Sequence, residues 1–471
     1  MKILFVASEM APLAQVGGLA EVIASLPRAL RELGHDVRIM LPAYQSISVG
    51  ALQAQPLGQN LELPGLPGSE VVTLETYLTQ DQVHVYLVKH KTHFNGQEIY
   101  GSNELEKFLF FARAVVGILP SMEWQPQIIH CHDWHTAMVP LFVKKSGLPY
   151  LTVFTIHNLA YQGWFDNEFM LKHGLSEFWL EAPKGMGNLP HNFMCQGILN
   201  ADYITTVSPN YAREILTPEY GEGLEIYLRH RGNSLFGIVN GLDYDRYNPA
   251  TDPYLQTHYD FNNIDQKTAS KLALQARTGL TTAKATPLIG LVQRLDEQKG
   301  MDILQPAIPE VASLGAQFIV LGKGREHYEE VLLQLANNYE GKVAVCIGFD
   351  EALGRLIYAG CDMFLMPSRF EPCGLGQLIA MRYGTIPIVR YTGGLVDTVQ
   401  QFNGDLSAGN GFMFLDYSSE ALVEAVMQGI NAFVHKIRWQ EAAKRIMQMD
   451  FSWRLSAKKY ENVYNKLLSS L

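Results

Sequence analysis

Apolar runs rich in β-branched residues recur along the chain and alternate with stretches whose apolar positions repeat every three to four residues. In the first half they fall at 2–7 (KILFVA), 37–41 (VRIML), 83–89 (VHVYLVK), 127–131 (QIIHC), 151–155 (LTVFT), 203–207 (YITTV) and 236–239 (FGIV). Near-continuous apolar strands separated by helical patterns predict parallel sheets covered on both faces, so residues 1 to about 240 read as one doubly wound α/β domain. The stretch 240–265, rich in Asn, Asp, Tyr and Pro, has no sustained apolar period and reads as the interdomain connection. The alternation restarts at 287–292, 317–321, 343–347, 362–366 and 385–389, which predicts a second domain of the same class. Open α/β sheets bind ligands at the carboxyl ends of their strands, so the expected site is a cleft between the two domains.

A length of 471 residues agrees with two cores. The 37 Lys and Arg against 47 Asp and Glu leave a net charge of −10, which argues against nucleic acid or an anionic membrane as the main partner. An anionic small ligand needs only a local basic pocket and stays open. No apolar run approaches the ~20 residues that cross a bilayer, and FLFFARAVVGILP, interrupted by Arg113, reads as a buried helix. The five cysteines, Cys131, Cys195, Cys346, Cys361 and Cys373, are scattered without a CxxC pair, which disfavours disulfides and zinc. MKILFVASEM enters a strand pattern without a basic leader, so a cytoplasmic location is expected.

The candidate chemistry follows strands. After the first, QVGGLAEV sets Gly17 and Gly18 before an amphipathic helix, where backbone N–H groups can approach an oxygen-rich anion. The alternative is a tight βα turn. LVQRLDEQKG places Arg294 and Lys299 at a strand end, a fork and a point charge that suit a diphosphate. A salt-bridged helix start is the alternative there. SRFEPCGLGQ joins a strand to a helix through Glu371, Pro372, Cys373, Gly374 and Leu375, and a carboxylate in such a turn can accept hydrogen bonds from vicinal hydroxyls. The alternative for Glu371 is an N-cap-region acid favoured by the helix dipole, and Cys373 could equally be a small buried apolar residue. In HCHDWH, His130, His132 and His135 would not face one way across a strand-to-helix junction, which argues against a metal. Asp133 as a substrate contact, with Trp134 stacking on a sugar ring, fits better. FTIHNLAYQG sets His157 and Asn158 after another strand, where a lone histidine is either a core residue or faces the cleft. TGGL supplies a second glycine pair, Gly393 and Gly394, again opening a helix.

With these motifs in order, together with TTVSPNYAREI and GIVNGLDYDRYNPATD, the chain resembles the bacterial and plastidial glycogen or starch synthases of the ADP-glucose type, from Met1 nearly to Leu471. These are retaining glycosyltransferases of two Rossmann-like domains, the GT-B architecture. The resemblance implies an acceptor-side domain over 1–245, a nucleotide-sugar domain over 246–455 and a closing helix over 456–471 that packs back toward the first. It implies transfer of glucose from ADP-glucose to the non-reducing 4-hydroxyl of an α-1,4-glucan, with no metal and no cofactor. Arg294 and Lys299 would bind the diphosphate, Glu371 would contact glucose hydroxyls, His157 would lie close to the donor sugar and Asp133 near the reacting centre. Asn240, Cys373, Gly374, Leu375, Gly393 and Gly394 match donor-pocket positions.

The sequence departs from the family pattern at several places. Gln15 stands where Lys is usual, Glu21 where Asp is, Cys195 for a customary Lys, Phe349 for a Tyr, Gly376 for a Thr, and Tyr391 where a basic residue is common. Loss of cleft cations is expected to weaken donor binding. Two alternatives stay open: a catalytically weak glucan-binding or regulatory relative, and a GT-B transferase using UDP-glucose.

Overall fold

Strands with both faces covered cannot alternate polar with apolar residues. In β1, Lys2–Val6, everything after Lys2 is accordingly buried. The computed structural model describes residues 1–47, 52, 54–63, 70–96, 98–101, 103–177 and 189–470. It divides into two units, Met1–Gly241 with Trp453–Leu471, and Leu242–Ser452.

The first unit continues through β2 (Asp36–Pro42), β3 (Gln55–Glu62), β4 (Val71–Leu78), β5 (His84–Lys89), β6 (Ile128–His132), β7 (Leu151–Ile156), β8 (Tyr203–Thr206) and β9 (Leu235–Gly237). Their order in the sheet is β3-β4-β5-β2-β1-β6-β7-β8-β9. Ile3 pairs with Val37 on one side and Ile128 on the other, both in parallel. The expectation of a wholly parallel sheet is corrected at one edge, where β4 runs antiparallel to both β3 and β5. β4 is only half buried and has no continuous apolar run to betray it. Because the chain leaves β1 for β2 on one side and reaches β6 on the other, the carboxyl ends of β1 and β6 flank a topological switch point.

FLFFARAVVGI forms the interior of helix Glu104–Ile118, with Phe108, Phe111 and Val115 buried. The terminal helix, Trp453–Leu468, packs on helix Gly18–Glu32. Its Ser456 hydroxyl donates to the carbonyl of Val239 at 2.6 Å, and its Glu461 pairs with His35 at 2.9 Å.

The second unit holds β10 (Leu288–Val292), β11 (Gln317–Gly322), β12 (Val343–Ile347), β13 (Met363–Met366), β14 (Ile386–Arg390) and β15 (Phe412–Phe414). All pairs are parallel, in the order β12-β11-β10-β13-β14-β15. Counted from β10 this is 3-2-1-4-5-6, the doubly wound order of dinucleotide-binding domains, with its switch point between β10 and β13. The segment after Gly241 is not a free connection. Leu255 and Tyr259 are buried in this unit's core, and the Tyr259 hydroxyl donates to the carbonyl of Tyr383 at 2.8 Å. Asp252 is buried with Arg355 at 3.5 Å and accepts from the Tyr383 hydroxyl. Irregular backbone hides such burial from any periodicity argument. Among the described residues no helix is long and apolar enough to cross a membrane.

Candidate active site

In the first unit the candidate site residues follow β1, β6 and β7. Asp133, directly after β6, adopts φ +57 and ψ 178, a region that side chains other than glycine rarely occupy. It is held there by its own hydrogen bonds. Its N–H donates to the Thr155 carbonyl at 2.9 Å, and its Oδ1 accepts from the N–H of His157 at 2.7 Å and that of Asn158 at 3.4 Å. One carboxylate thus ties the ends of two adjacent strands together. Burial pushes the Asp133 carboxyl up to about 7 despite these two donors, which act to lower it. His157 bonds through Nε2 to Nδ1 of His132 at 3.0 Å, and burial lowers its imidazole to about 3. Both Asp133 and His157 keep part of their surface accessible.

The Asp133 shift has a sign. A carboxyl that binds its proton more tightly when folded adds stability below its unfolded pKa, near 4, and loses it as pH rises through about 7. Desolvation lowers all four histidines His130, His132, His135 and His157, so they act oppositely and cost stability as pH falls below about 6.5. Asp133→Asn keeps the acceptor oxygen and removes the titration. Its unfolding midpoint, measured from pH 4 to 8, is expected to gain on that of the native chain as pH rises. Parallel curves would mean that Asp133 is ionised throughout.

The first glycine pair is arranged differently from the expectation. The N–H groups of Val16 and Gly17 donate at 2.7 and 2.8 Å to Glu9 Oε2, and Glu9 Oε1 accepts from the Tyr100 hydroxyl. Glu9 is 3 % exposed, so these donors turn inward and the Gly17 N–H is already occupied. A Cβ on Gly17 or Gly18 would meet no atom within 4 Å, so neither glycine answers an internal packing need. Gln15 is exposed and donates to Glu21 at 3.1 Å, which makes partners of two departures from the family pattern. Asn240 is buried, and its Oδ1 has no hydrogen-bond partner among the described residues. Cys195 has no accessible surface, and burial pushes its thiol up to about 12. In this chain the position belongs to the core, which corrects its reading as a lost cleft cation.

A cavity of about 620 Å³ is lined by Trp134, Tyr161, Gln162, Trp164 and Phe169 together with Glu104 and Glu106. Tyr161 and Trp164 are more than half exposed. Aromatic faces next to carboxylates suit a sugar chain.

In the second unit, Lys299 and Glu371 meet. Lys299 Nζ lies 2.5 Å from Glu371 Oε2, which also accepts from the Ser368 hydroxyl at 3.0 Å. Both are largely buried, at the β10 and β13 sides of the switch point. Asp296 caps the turn that carries Lys299, accepting from its N–H at 3.0 Å. Arg294 is half exposed and bonds Asp296 at 2.8 Å and Gln298 at 3.0 Å, so the salt-bridged reading of this segment also holds.

The second glycine pair is a packing device. The Gly394 N–H donates to the Glu371 carbonyl at 3.0 Å. A Cβ on Gly393, at φ +47, would stand 1.8 Å from that carbonyl oxygen, and one on Gly394 would stand 2.4 Å from the Cys373 carbonyl. Cys373 is buried. Gly374, at φ +77, and Leu375 lead into helix Gly376–Arg382. At Gly376 a Cβ would come within 2.9 Å of the Phe364 ring, so the Thr usual there would displace Phe364. Phe349, after β12, is 92 % exposed and offers a free aromatic face.

Sequence reasoning missed Glu9, Tyr100 and Ser368, and weighed His132 only as a metal ligand. For Glu9 a signal existed, a lone acid at the end of an apolar strand before a glycine turn. Among the described residues no cluster of His, Cys, Asp and Glu is arranged to hold a metal ion. His130 is instead engaged by Tyr464 at 2.8 Å and Thr155 at 2.6 Å.

Residues 2–230 match the family described as starch synthase catalytic domain, and residues 286–431 match glycosyl transferases group 1. A glycogen synthase of Geotalea daltonii is 44 % identical over 483 residues, covering 100 % of this chain and 99 % of its own. One from Gloeobacter violaceus is 42 % identical and covers 100 % of both. Among solved structures, the catalytic domain of starch synthase IV from Arabidopsis thaliana, bound to ADP and acarbose, superposes with a TM-score of 0.89 at 34 % identity over 99 % of each chain. With full-length identity above 40 %, two doubly wound sheets and candidate site residues at the switch point of each, the chain belongs to the glycogen and starch synthase family of glycosyltransferases.

Proposed function

We propose that the chain transfers glucose from ADP-glucose to the non-reducing 4-hydroxyl of an α-1,4-glucan, with retention of configuration. The observation that carries this reading is the Lys299–Glu371 contact at the switch point of the second sheet. A cation and a carboxylate held together there can serve the two halves of one nucleotide sugar. Lys299, with two donors left after Glu371 takes one, stabilises charge as it develops on the leaving diphosphate, and Arg294 assists. Glu371 takes glucose hydroxyls, and Phe349 offers a stacking face to the base. From the first unit, His157 and Asn158 contact the transferred glucose, Asp133 lies near the reacting centre and the cavity of Trp134, Tyr161 and Trp164 holds the acceptor chain. Asn240 Oδ1, a buried acceptor, suits a ligand hydroxyl. The structure of the Arabidopsis relative with ADP and acarbose supports the choice of nucleotide and of glucan.

The test is glucan-dependent release of ADP from ADP-glucose, with UDP-glucose in parallel and product lengths read by chromatography. Chain extension with ADP-glucose is expected. Glucan binding without turnover would leave a glucan-binding or regulatory relative, and turnover with UDP-glucose alone would reassign the donor.

Gln15→Lys is expected to lower the KM for ADP-glucose by roughly tenfold, the size of one charge-assisted hydrogen bond to a phosphate. An unaltered KM would show that position 15, parked on Glu21 by a 3.1 Å bond, does not meet the donor.

A further inference from the structure

His132 lies at the end of β6 with no exposed surface, stacked at 22° on the Phe5 ring and with the His130 ring centroid 4.2 Å away. Its Nδ1 is 3.0 Å from Nε2 of His157, 25 residues on. Its other nitrogen, Nε2, is buried and has no hydrogen-bond partner among the described residues. Burial holds both rings in the neutral form, so the two facing nitrogens share one proton. Two arrangements exist. If His157 donated, His132 would carry its own proton on Nε2, an N–H buried with nothing to receive it. If His132 donates from Nδ1, only a lone pair is left unpaired, and buried orphan N–H groups are the rarer of the two.

We infer that His132 is a positioning residue that donates from Nδ1 to His157 and so fixes His157 as the Nδ1–H tautomer, presenting a hydrogen-bond donor to an oxygen of the bound sugar. The ring nitrogens are distinct, and the bond that one makes decides what the other offers. With Nε2 taken, Nδ1 is the nitrogen left for a ligand. Its proton selects an acceptor oxygen, such as a hydroxyl lone pair, and disfavours a group that can only donate. The backbone cooperates, because Asp133 Oδ1 accepts from the His157 N–H at 2.7 Å and so fixes the peptide from which the ring projects. The ligand half of this inference rests on the proposed sugar-transferring function; the tautomer half does not.

The experiment labels histidine with ¹⁵N in the full chain and reads ring protonation from long-range ¹H–¹⁵N correlations, with His157→Ala identifying the His157 signals. The expected result is a protonated Nδ1 and a bare Nε2 on His157, reverting toward Nε2–H in His132→Phe. A protonated Nε2 in the native chain, or the same tautomer in both proteins, would overturn the inference. Should His132→Phe fail to fold, the native spectrum decides alone. Kinetics supply the second readout. His132→Phe is expected to lower kcat/KM for ADP-glucose roughly tenfold with the KM for glucan unchanged. His132→Asn, whose amide nitrogen stands near the place of Nδ1, is expected to restore most of the loss. Equal kinetics for Phe and Asn would reduce His132 to a core residue. A chain inactive in every form would sink the functional reading while leaving the tautomer measurable.

Discussion

Lys299→Ala is expected to reduce kcat for glucan extension by on the order of a hundredfold to a thousandfold, the usual effect of deleting one preorganised group that meets developing charge. The same substitution is expected to destabilise the second unit. Glu371, 5 % exposed, loses its ionic partner and keeps only Ser368 at 3.0 Å. Breaking a buried pair from one side costs about 3–5 kcal/mol, because the remaining charge stays desolvated. The sequence presents the two residues as separate ligand contacts; their 2.5 Å contact couples turnover to stability. Glu371→Gln separates the effects. The amide keeps an acceptor for Ser368 and for Lys299, and the charge left without its partner is that of Lys299, the more exposed of the two, so the cost in stability is expected to be smaller while turnover still falls. Steady-state kinetics at saturating ADP-glucose, paired with denaturation followed in each unit, check both. Native turnover in both variants would remove this pair from the reaction.

Gly393→Ala is the second large effect, and it concerns shape. The new Cβ would stand 1.8 Å from the Glu371 carbonyl oxygen, at a residue whose φ is +47. The left-handed backbone penalty and the overpacking together come to about 2–5 kcal/mol. The turn that must yield is the one carrying Glu371, so turnover is expected to fall with stability. Hydrogen exchange should lose protection at Gly394, whose N–H bonds to that same carbonyl. The control is Gly17→Ala. Nothing lies within 4 Å of a Cβ there, so its stability should stay within about 1 kcal/mol of native. Equal costs at positions 17 and 393 would mean that close packing is not what the second glycine pair serves. Two glycine pairs opening helices look alike in sequence, and the structure gives them different tasks.

The sequence by itself determined the fold class and where the candidate motifs sit along the chain. Buried parallel strands write themselves as contiguous apolar runs, and in both sheets the candidate motifs follow those runs directly. Arg294 follows β10, Glu371 β13, Asp133 β6 and His157 β7. Elements without such a run stayed illegible, as with half-buried β4, three-residue β15 and the irregular stretch that buries Asp252 and Tyr259. Only the tertiary structure decided who touches whom. Lys299 meets Glu371 across 72 residues, and His132 meets His157 across 25. Even within nine residues, Glu9 takes the N–H groups of Val16 and Gly17 because the loop folds back over it. Periodicity is a property of neighbours in the chain, whereas such contacts depend on strand order, register and backbone direction, which bring distant or inward-turned groups together.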